Sequence, residues 1–340
     1  VFVTRALPGD ALERLAHRVD CAVWPGPGTP TTEALRAEVA DCQGLLCLLT
    51  DEIDADLIAA APSLRVISSC SVGVNHIDLA AATRRGIPVG YTPGVLVETT
   101  ADLAFALLLA SARRIVEADR FVRDGEWTPE RSWEPDMLLG RDLHGATLGL
   151  VGLGAIGRAV ARRARGFGMR VLGWTRSGRE VEGVQSVGLD RVLAEADFVS
   201  LHVAATPETH HLVDAAALAR MRSGAILVNT ARGEIVDESA LVDALARGHL
   251  AAAGLDVFER EPLDPRSPLL SLPNVVLAPH IGSASIATRT RMADLAVENL
   301  LAGLAGRRLL HCANAEALAP RTADSGAGSG GRAAGEEEAG

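Results

Sequence analysis

Short apolar runs rich in β-branched residues alternate with stretches whose apolar positions recur at helical spacing, along almost the whole chain. That alternation predicts parallel α/β architecture, because a crossover helix returns each strand in the same direction. A first series of strands is expected at "VFVTR" (1–5), "CAVW" (21–24), "GLLCLLT" (44–50), "LRVISSC" (64–70) and "IPVGY" (87–91), with helical stretches such as "DALERLAHR" and "TTEALRAEVA" between them. A second series follows at "TLGLVG" (147–152), "MRVLGW" (169–174), "DFVSLHV" (197–203), "AILVNT" (225–230), "AAAGLDVF" (251–258) and "NVVLAP" (274–279). Two series predict two domains, each with a doubly wound parallel sheet. Long helical patterns over residues 99–124 and 285–307 flank the second series and lead back to the first. The first domain is therefore expected to be discontinuous, 1–98 plus 285–318, with the second domain spanning 99–284. From 319 to 340 the chain turns to Gly, Ala, Ser and Glu, with too little apolar surface to fold, and is expected to be disordered.

Composition narrows the possible partners. Among 340 residues, 48% are hydrophobic and only 3% aromatic, so the cores must be built mainly from Ala, Val and Leu. A net charge of −10 argues against nucleic-acid or anionic-membrane surfaces, while leaving room for a local basic pocket. The apolar stretch "LAFALLLASA" is too short to span a bilayer and reads as a buried helix. Five cysteines, an odd number with no Cys-x-x-Cys, suggest neither a disulfide framework nor a zinc site; thiols in a reducing cytoplasm are the expectation. No metal site is expected.

"VGLGAIG" places Gly152, Gly154 and Gly157 between a strand and a helix, with Ala155 and Ile156 opening the helix. In a dinucleotide site the first glycine makes the tight turn, the second lets backbone approach the pyrophosphate and the third packs helix on strand. Eighteen residues past Gly157, where NAD sites carry an acid for the ribose, stand Thr175, Arg176 and Ser177. A carboxylate there would repel a 2′-phosphate, whereas a guanidinium grips one with two charge-assisted hydrogen bonds. The expected cofactor is NADPH by preference, with NADH possible. Arg232, Glu261 and His280 each stand just beyond an expected strand, on the sheet edge where doubly wound folds bind ligands. All three are therefore expected to converge on one ligand.

With these stretches, together with "SSCSVGVNHIDL", "TPGVLVETTADLAFALLLASARRIVEADRFVRDGEW", "ILVNTARGEIVDESALVDAL", "AGLDVFEREP" and "LAPHIGSAS", the sequence resembles the D-isomer-specific 2-hydroxyacid dehydrogenases, and among them the glyoxylate/hydroxypyruvate reductases, over residues 1–314. The resemblance implies two Rossmann-like or flavodoxin-like domains and NAD(P)H-dependent reduction of a small 2-keto acid. It implies that His280 is the general acid, that Glu261 orients it and favours its protonated form, and that Arg232 holds the substrate carboxylate. Val72 and Gly73 would bind that carboxylate through their backbone. Thr100, Thr230, Asp256 and Gly282 would contact the cofactor. The resemblance further implies a cytoplasmic homodimer in which Trp133, in "WEP", reaches the partner's site to bind substrate. A 3-phosphoglycerate or phenylpyruvate type of enzyme, or a nucleotide-sensing corepressor-like scaffold, are the alternatives. Formate dehydrogenases carry Gln where Glu261 stands. Two departures from the family are the missing Pro in "HVAATPETHH" and the C-terminal "LLHCAN".

Overall fold

Five parallel strands form the first sheet of the computed structural model, which describes residues 1–318: β1 (Phe2–Val3), β2 (Ala22–Val23), β3 (Gly44–Cys47), β4 (Val66–Ser69) and β5 (Val89–Gly90), in the order β2-β1-β3-β4-β5. Every residue of β3 and β4 is buried, which is why β3 reads as an unbroken run rather than an alternating one, while β4 also buries the hydroxyls of Ser68 and Ser69. Thr31, Asp54 and Asp78 cap the helices Thr32–Val39, Ala55–Ala60 and Leu79–Arg84 through side-chain oxygens, contacts worth about 1 kcal/mol each. The "LLHCAN" segment closes the sheet edge. Cys312 forms an antiparallel bridge to Gly90, and the Asn314 amide accepts from Val89 N–H at 3.0 Å and donates to the Ile87 carbonyl at 3.0 Å.

The second sheet has seven parallel strands: β6 (Thr147–Val151), β7 (Arg170–Trp174), β8 (Gln185–Ser186), β9 (Phe198–Leu201), β10 (Ala225–Asn229), β11 (Leu250–Leu255) and β12 (Val275–Leu277), in the order β12-β11-β10-β9-β6-β7-β8. Strand order reverses between β6 and β9, the switch point at which such sheets bind nucleotides. Successive residues feed opposite cores. Leu148, Leu150, Ile226 and Val228 pack on one face with Ala104, Phe105 and Leu108 of the helix Val97–Ala112, while Val151, Ala225 and Leu227 pack on the other. Both sheets are thus of the doubly wound parallel kind.

Three details differ from the sequence reading. The helical pattern over 99–124 is two helices, Val97–Ala112 and Ile115–Arg123, broken where Arg114 takes a left-handed φ of 52°. No Gly or Pro marks that break. Strand β8 was not anticipated because its two residues are exposed and carry no apolar pattern. The chain divides into two units, one of Val1–Ala6, Arg18–Tyr91 and the segment from Ala296, the other of Leu7–His17 and Thr92–Leu295, so the divisions fall elsewhere than at 98/99 and 284/285. The helix Ile286–Leu304 changes partners along its length: Thr288 meets Thr99 at 2.6 Å and Asp294 pairs with Arg14, whereas Ala296 accepts from Ser68 and Asn299 donates to Tyr91. The expected disorder of 319–340 lies outside the described residues.

Candidate active site

Parallel strands end on a common edge, and in the second unit that edge carries the residues singled out above: Gly152 to Gly157 after β6, Thr175 to Ser177 after β7, Thr230 to Arg232 after β10, Asp256 to Glu261 after β11, and His280 to Gly282 after β12. Val72 and Gly73 belong to the first unit, where they follow β4 and the Ser71 hydroxyl donates to the Gly73 carbonyl at 2.6 Å.

The glycines divide by what a methyl group would meet. At Gly152, φ +103°, a Cβ would lie 2.5 Å from the His202 carbonyl oxygen, and at Gly157 it would lie 2.1 Å from that of Gly152. Those two are demanded by packing. At Gly154 a Cβ would meet no protein atom within 4 Å, so the fold leaves open space there. Gly154 is also the N-cap of the helix Ala155–Gly166, which no side chain caps, so its first N–H groups face an anion site. The buried Thr230 hydroxyl, on the same sheet edge, has no hydrogen-bond partner. An open glycine, an uncapped helix start and an orphaned hydroxyl fit a bound dinucleotide. Thr175 and Ser177 hydroxyls lie 3.4 Å apart, and Arg176 is exposed and in no ion pair among the described residues. Across from it, Glu208 is held below the usual carboxylate range by the Thr206 hydroxyl, by its own N–H and, more weakly, by the Arg176 charge.

His280 Nδ1 meets Glu261 Oε2 at 2.7 Å, and the other Glu261 oxygen accepts from Phe258 N–H at 3.1 Å. Burial alone would raise the Glu261 carboxyl, but the His280 hydrogen bond and charge, the Phe258 N–H and the Arg232 charge together hold it below its ordinary value. His280 stands in a left-handed conformation, φ 54°, unusual for a side chain with a Cβ. Asp256 holds it there. The buried carboxylate accepts Ile281 N–H at 2.7 Å and Gly282 N–H at 2.8 Å, while its backbone carbonyl accepts His280 N–H at 2.9 Å. Burial raises the Asp256 carboxyl above its ordinary value, against these N–H groups and His280. The Thr100 hydroxyl donates to the Gly282 carbonyl at 3.1 Å, so Thr100, Asp256 and Gly282 form one bracket around the His280 loop. Arg232 is half-buried. One of its guanidinium nitrogens donates to Ala231 O at 2.6 Å, and the guanidinium makes no ion pair among the described residues, leaving donors for an anion. Its neighbour Gly233 presses on the next loop so closely that a Cβ would lie 1.8 Å from the Phe258 carbonyl carbon. That contact sets the Arg232 loop beside the loop of Glu261.

Two residues escaped the sequence reading. His202, directly after β9 at the switch point, bonds the Ser200 hydroxyl at 2.9 Å, and burial pushes its pKa down to about 4, so it is neutral. Its position at the end of "DFVSLHV" was the available signal. The other is His211, farther along the chain between β9 and β10. Trp133 is 89% exposed. Among the described residues no three His, Cys, Asp or Glu side chains are grouped to hold a metal, and no helix is long and apolar enough to cross a membrane.

A doubly wound sheet whose switch point carries an open glycine turn, with an ionisable His–Glu pair and an arginine on the same edge, defines a nicotinamide-dependent oxidoreductase. Residues 105–282 match the model of the D-isomer specific 2-hydroxyacid dehydrogenase NAD binding domain. Over 306 residues the chain is 53% identical to a glyoxylate reductase of Korarchaeum cryptofilum, covering 89% of this chain and 92% of that one. A solved protein of Thermus thermophilus superposes with a TM-score of 0.88 at 52% identity, covering 92% of this chain and 99% of that one. An NADPH-dependent glyoxylate/hydroxypyruvate reductase from Sinorhizobium meliloti, solved with NADP and malonate, gives a TM-score of 0.82 at 36% identity over 92% of this chain and 95% of that one. The chain belongs to the D-isomer-specific 2-hydroxyacid dehydrogenase family.

Proposed function

We propose that this enzyme reduces glyoxylate and hydroxypyruvate to the corresponding 2-hydroxy acids, with NADPH as its preferred reductant. The observation that carries the reading is the 2.7 Å pairing of His280 Nδ1 with Glu261 Oε2 on the sheet edge that also bears the dinucleotide turn. Bound nicotinamide supplies the hydride. The protein supplies the rest. Arg232 takes the substrate carboxylate through its free guanidinium donors. Glu261, kept ionised, accepts a hydrogen bond from His280 Nδ1–H, and the Nε2–H of the imidazolium protonates the carbonyl oxygen as it gains charge. Gly152, Gly154, Ala155, Ile156 and Gly157 hold the pyrophosphate, and Arg176, with Thr175 and Ser177, holds the 2′-phosphate. Thr230 and the bracket of Thr100, Asp256 and Gly282 line the nicotinamide end.

The helix Ile115–Arg123 buries none of its residues, and Ile115, Val122, Trp127, Trp133 and Leu139 are all exposed apolar side chains. A surface of that kind supports a homodimer in which Trp133 enters the partner's substrate site and favours small keto acids. Steady-state kinetics on glyoxylate, hydroxypyruvate, phenylpyruvate and 3-phosphohydroxypyruvate, each with NADPH and NADH, test the reading. Highest kcat/KM for the two small acids with NADPH is expected. A preference for either larger acid, or for NADH, overturns it, and dinucleotide binding without turnover of any acid leaves the scaffold alternative.

A further inference from the structure

His211 lies outside the reacting set, on the loop after β9, yet it is fastened to both loops that carry that set. Its backbone N–H donates to Glu234 O at 2.9 Å, two residues beyond Arg232. Its imidazole Nε2–H donates to Glu259 Oε1 at 2.5 Å, two residues before Glu261. The same Glu259 oxygen accepts Glu238 N–H at 3.4 Å, and Glu259 N–H donates back to Glu238 Oε2 at 3.2 Å. Burial, opposed by that Glu259 N–H and reinforced by the Glu259 charge, raises the Glu238 carboxyl. His211 adopts a left-handed φ of 49° and stacks on His210 with ring centroids 4.1 Å apart. A non-glycine residue in that conformation persists only where its surroundings fix it.

We propose that His211, through Glu259, is a positioning residue that holds the Arg232 and Glu261 loops in register for keto-acid binding and proton transfer. The inference rests on the roles assigned above to Arg232, Glu261 and His280. The mechanical path is short. Glu261 Oε1 closes the four-residue turn Phe258 to Glu261 on the Phe258 N–H. Glu259 is an exposed residue of that turn. Gly233 packs directly against its Phe258–Glu259 peptide. Fixing Glu259 to the residue that also holds Glu234 therefore fixes the distance between the guanidinium and the carboxylate. Among the described residues none of these bonds reaches Gly152 to Gly157.

Five proteins test it: the parent, His211→Leu, His211→Gln, Glu259→Ala and the double variant His211→Leu/Glu259→Ala. In His211→Leu, kcat/KM for glyoxylate is expected to fall by about 10- to 100-fold, the upper figure being the cost of a misplacement of about an ångström. The loss divides between a higher KM, from the displaced Arg232, and a lower kcat, from the displaced Glu261. Oxamate, an unreactive mimic of a keto acid, should bind the same variant more weakly, while the Kd for NADPH stays within about twofold. His211→Gln, whose amide N–H replaces the ring N–H, should recover most of the loss. The double variant should be no worse than the poorer single variant. Unchanged kcat/KM and oxamate affinity in His211→Leu, additive losses in the double variant, or no recovery with Gln, overturns the proposal. A parent that turns over no 2-keto acid instead overturns the functional assignment on which it rests.

Discussion

The His280 loop and the turn at Thr175 to Ser177 both follow strands of one sheet and both present a charged side chain, but they are held in opposite ways. His280 and the two residues after it receive bonds from Asp256, Thr100 and Glu261, all between 2.7 and 3.1 Å. The other turn has the Gly178 N–H on Thr175 O at 3.1 Å and one long hydroxyl contact, and its Arg176 projects into solvent. The difference follows from the tasks. Proton donation requires heavy atoms within hydrogen-bond reach at one moment of the reaction, so the donor is braced even at the expense of a strained backbone. Gripping a phosphate requires charge and a fork at the end of a long stem, which tolerates several positions. Substitutions in the braced loop should alter chemistry, and those in the open turn should alter cofactor choice.

The largest expected effect breaks the braced loop. His280→Ala should lower kcat for glyoxylate by roughly 10²–10⁴-fold, the usual weight of a positioned acid. Dinucleotide binding, followed by fluorescence, should be nearly unchanged, and near-normal turnover would remove His280 from the mechanism. Glu261→Gln adds a pH signature. The Glu261 carboxyl lies below its ordinary value, so its charge is present throughout the neutral range and is lost only as pH falls through that lowered value. Near neutrality the parent therefore reacts with an anion at His280 Nδ1, and that anion is lost only on the acid side. Glu261→Gln has no carboxylate to protonate, so the acid-side fall in kcat that follows the Glu261 proton should be absent from the variant. A kcat profile that stays in place counts against the dyad.

The open turn gives the second effect. Replacing Arg176 with Ala removes charged hydrogen bonds worth about 1.5–3 kcal/mol, so the KM for NADPH should rise roughly 10–150-fold. The KM for NADH should barely move, since its ribose offers no phosphate. A parent that already prefers NADH refutes the role given to Arg176, whatever the variant does.

The contrast between these regions also explains what could be read from the chain beforehand. The eleven anticipated strands are present because most of them are buried on both faces and so are largely apolar, and that composition is visible without coordinates. Gly152, Arg232, Glu261 and His280 were legible because each follows such a run. What stayed hidden depends on side chains meeting across loops: the Asp256 grip on the His280 loop, the attachment of His211 to Glu259, and the break at Arg114, where packing rather than Gly or Pro turns the backbone. The two-residue strand β8 escaped because exposed polar residues leave no pattern.

The smallest effect separates the glycines that serve the fold from the one that serves the ligand. A methyl at Gly157 would collide with the Gly152 carbonyl oxygen at 2.1 Å, so Gly157→Ala should lower the thermal midpoint as well as cofactor affinity. A methyl at Gly154 would meet nothing in the protein within 4 Å, and the residue sits at φ −65°, where Ala is unstrained. Gly154→Ala should therefore cost about 0.5 kcal/mol of stability or less, the ordinary difference between Gly and Ala at an N-cap. Yet the added methyl occupies the space into which the pyrophosphate must come, so affinity for NADPH and NADH should fall together, by several-fold and to the same extent. Equal losses for both cofactors distinguish this from Arg176→Ala, which acts on one. Isothermal titration beside thermal unfolding reads both quantities on the same samples. Unchanged affinity in Gly154→Ala would mean that the dinucleotide does not approach the backbone at this turn.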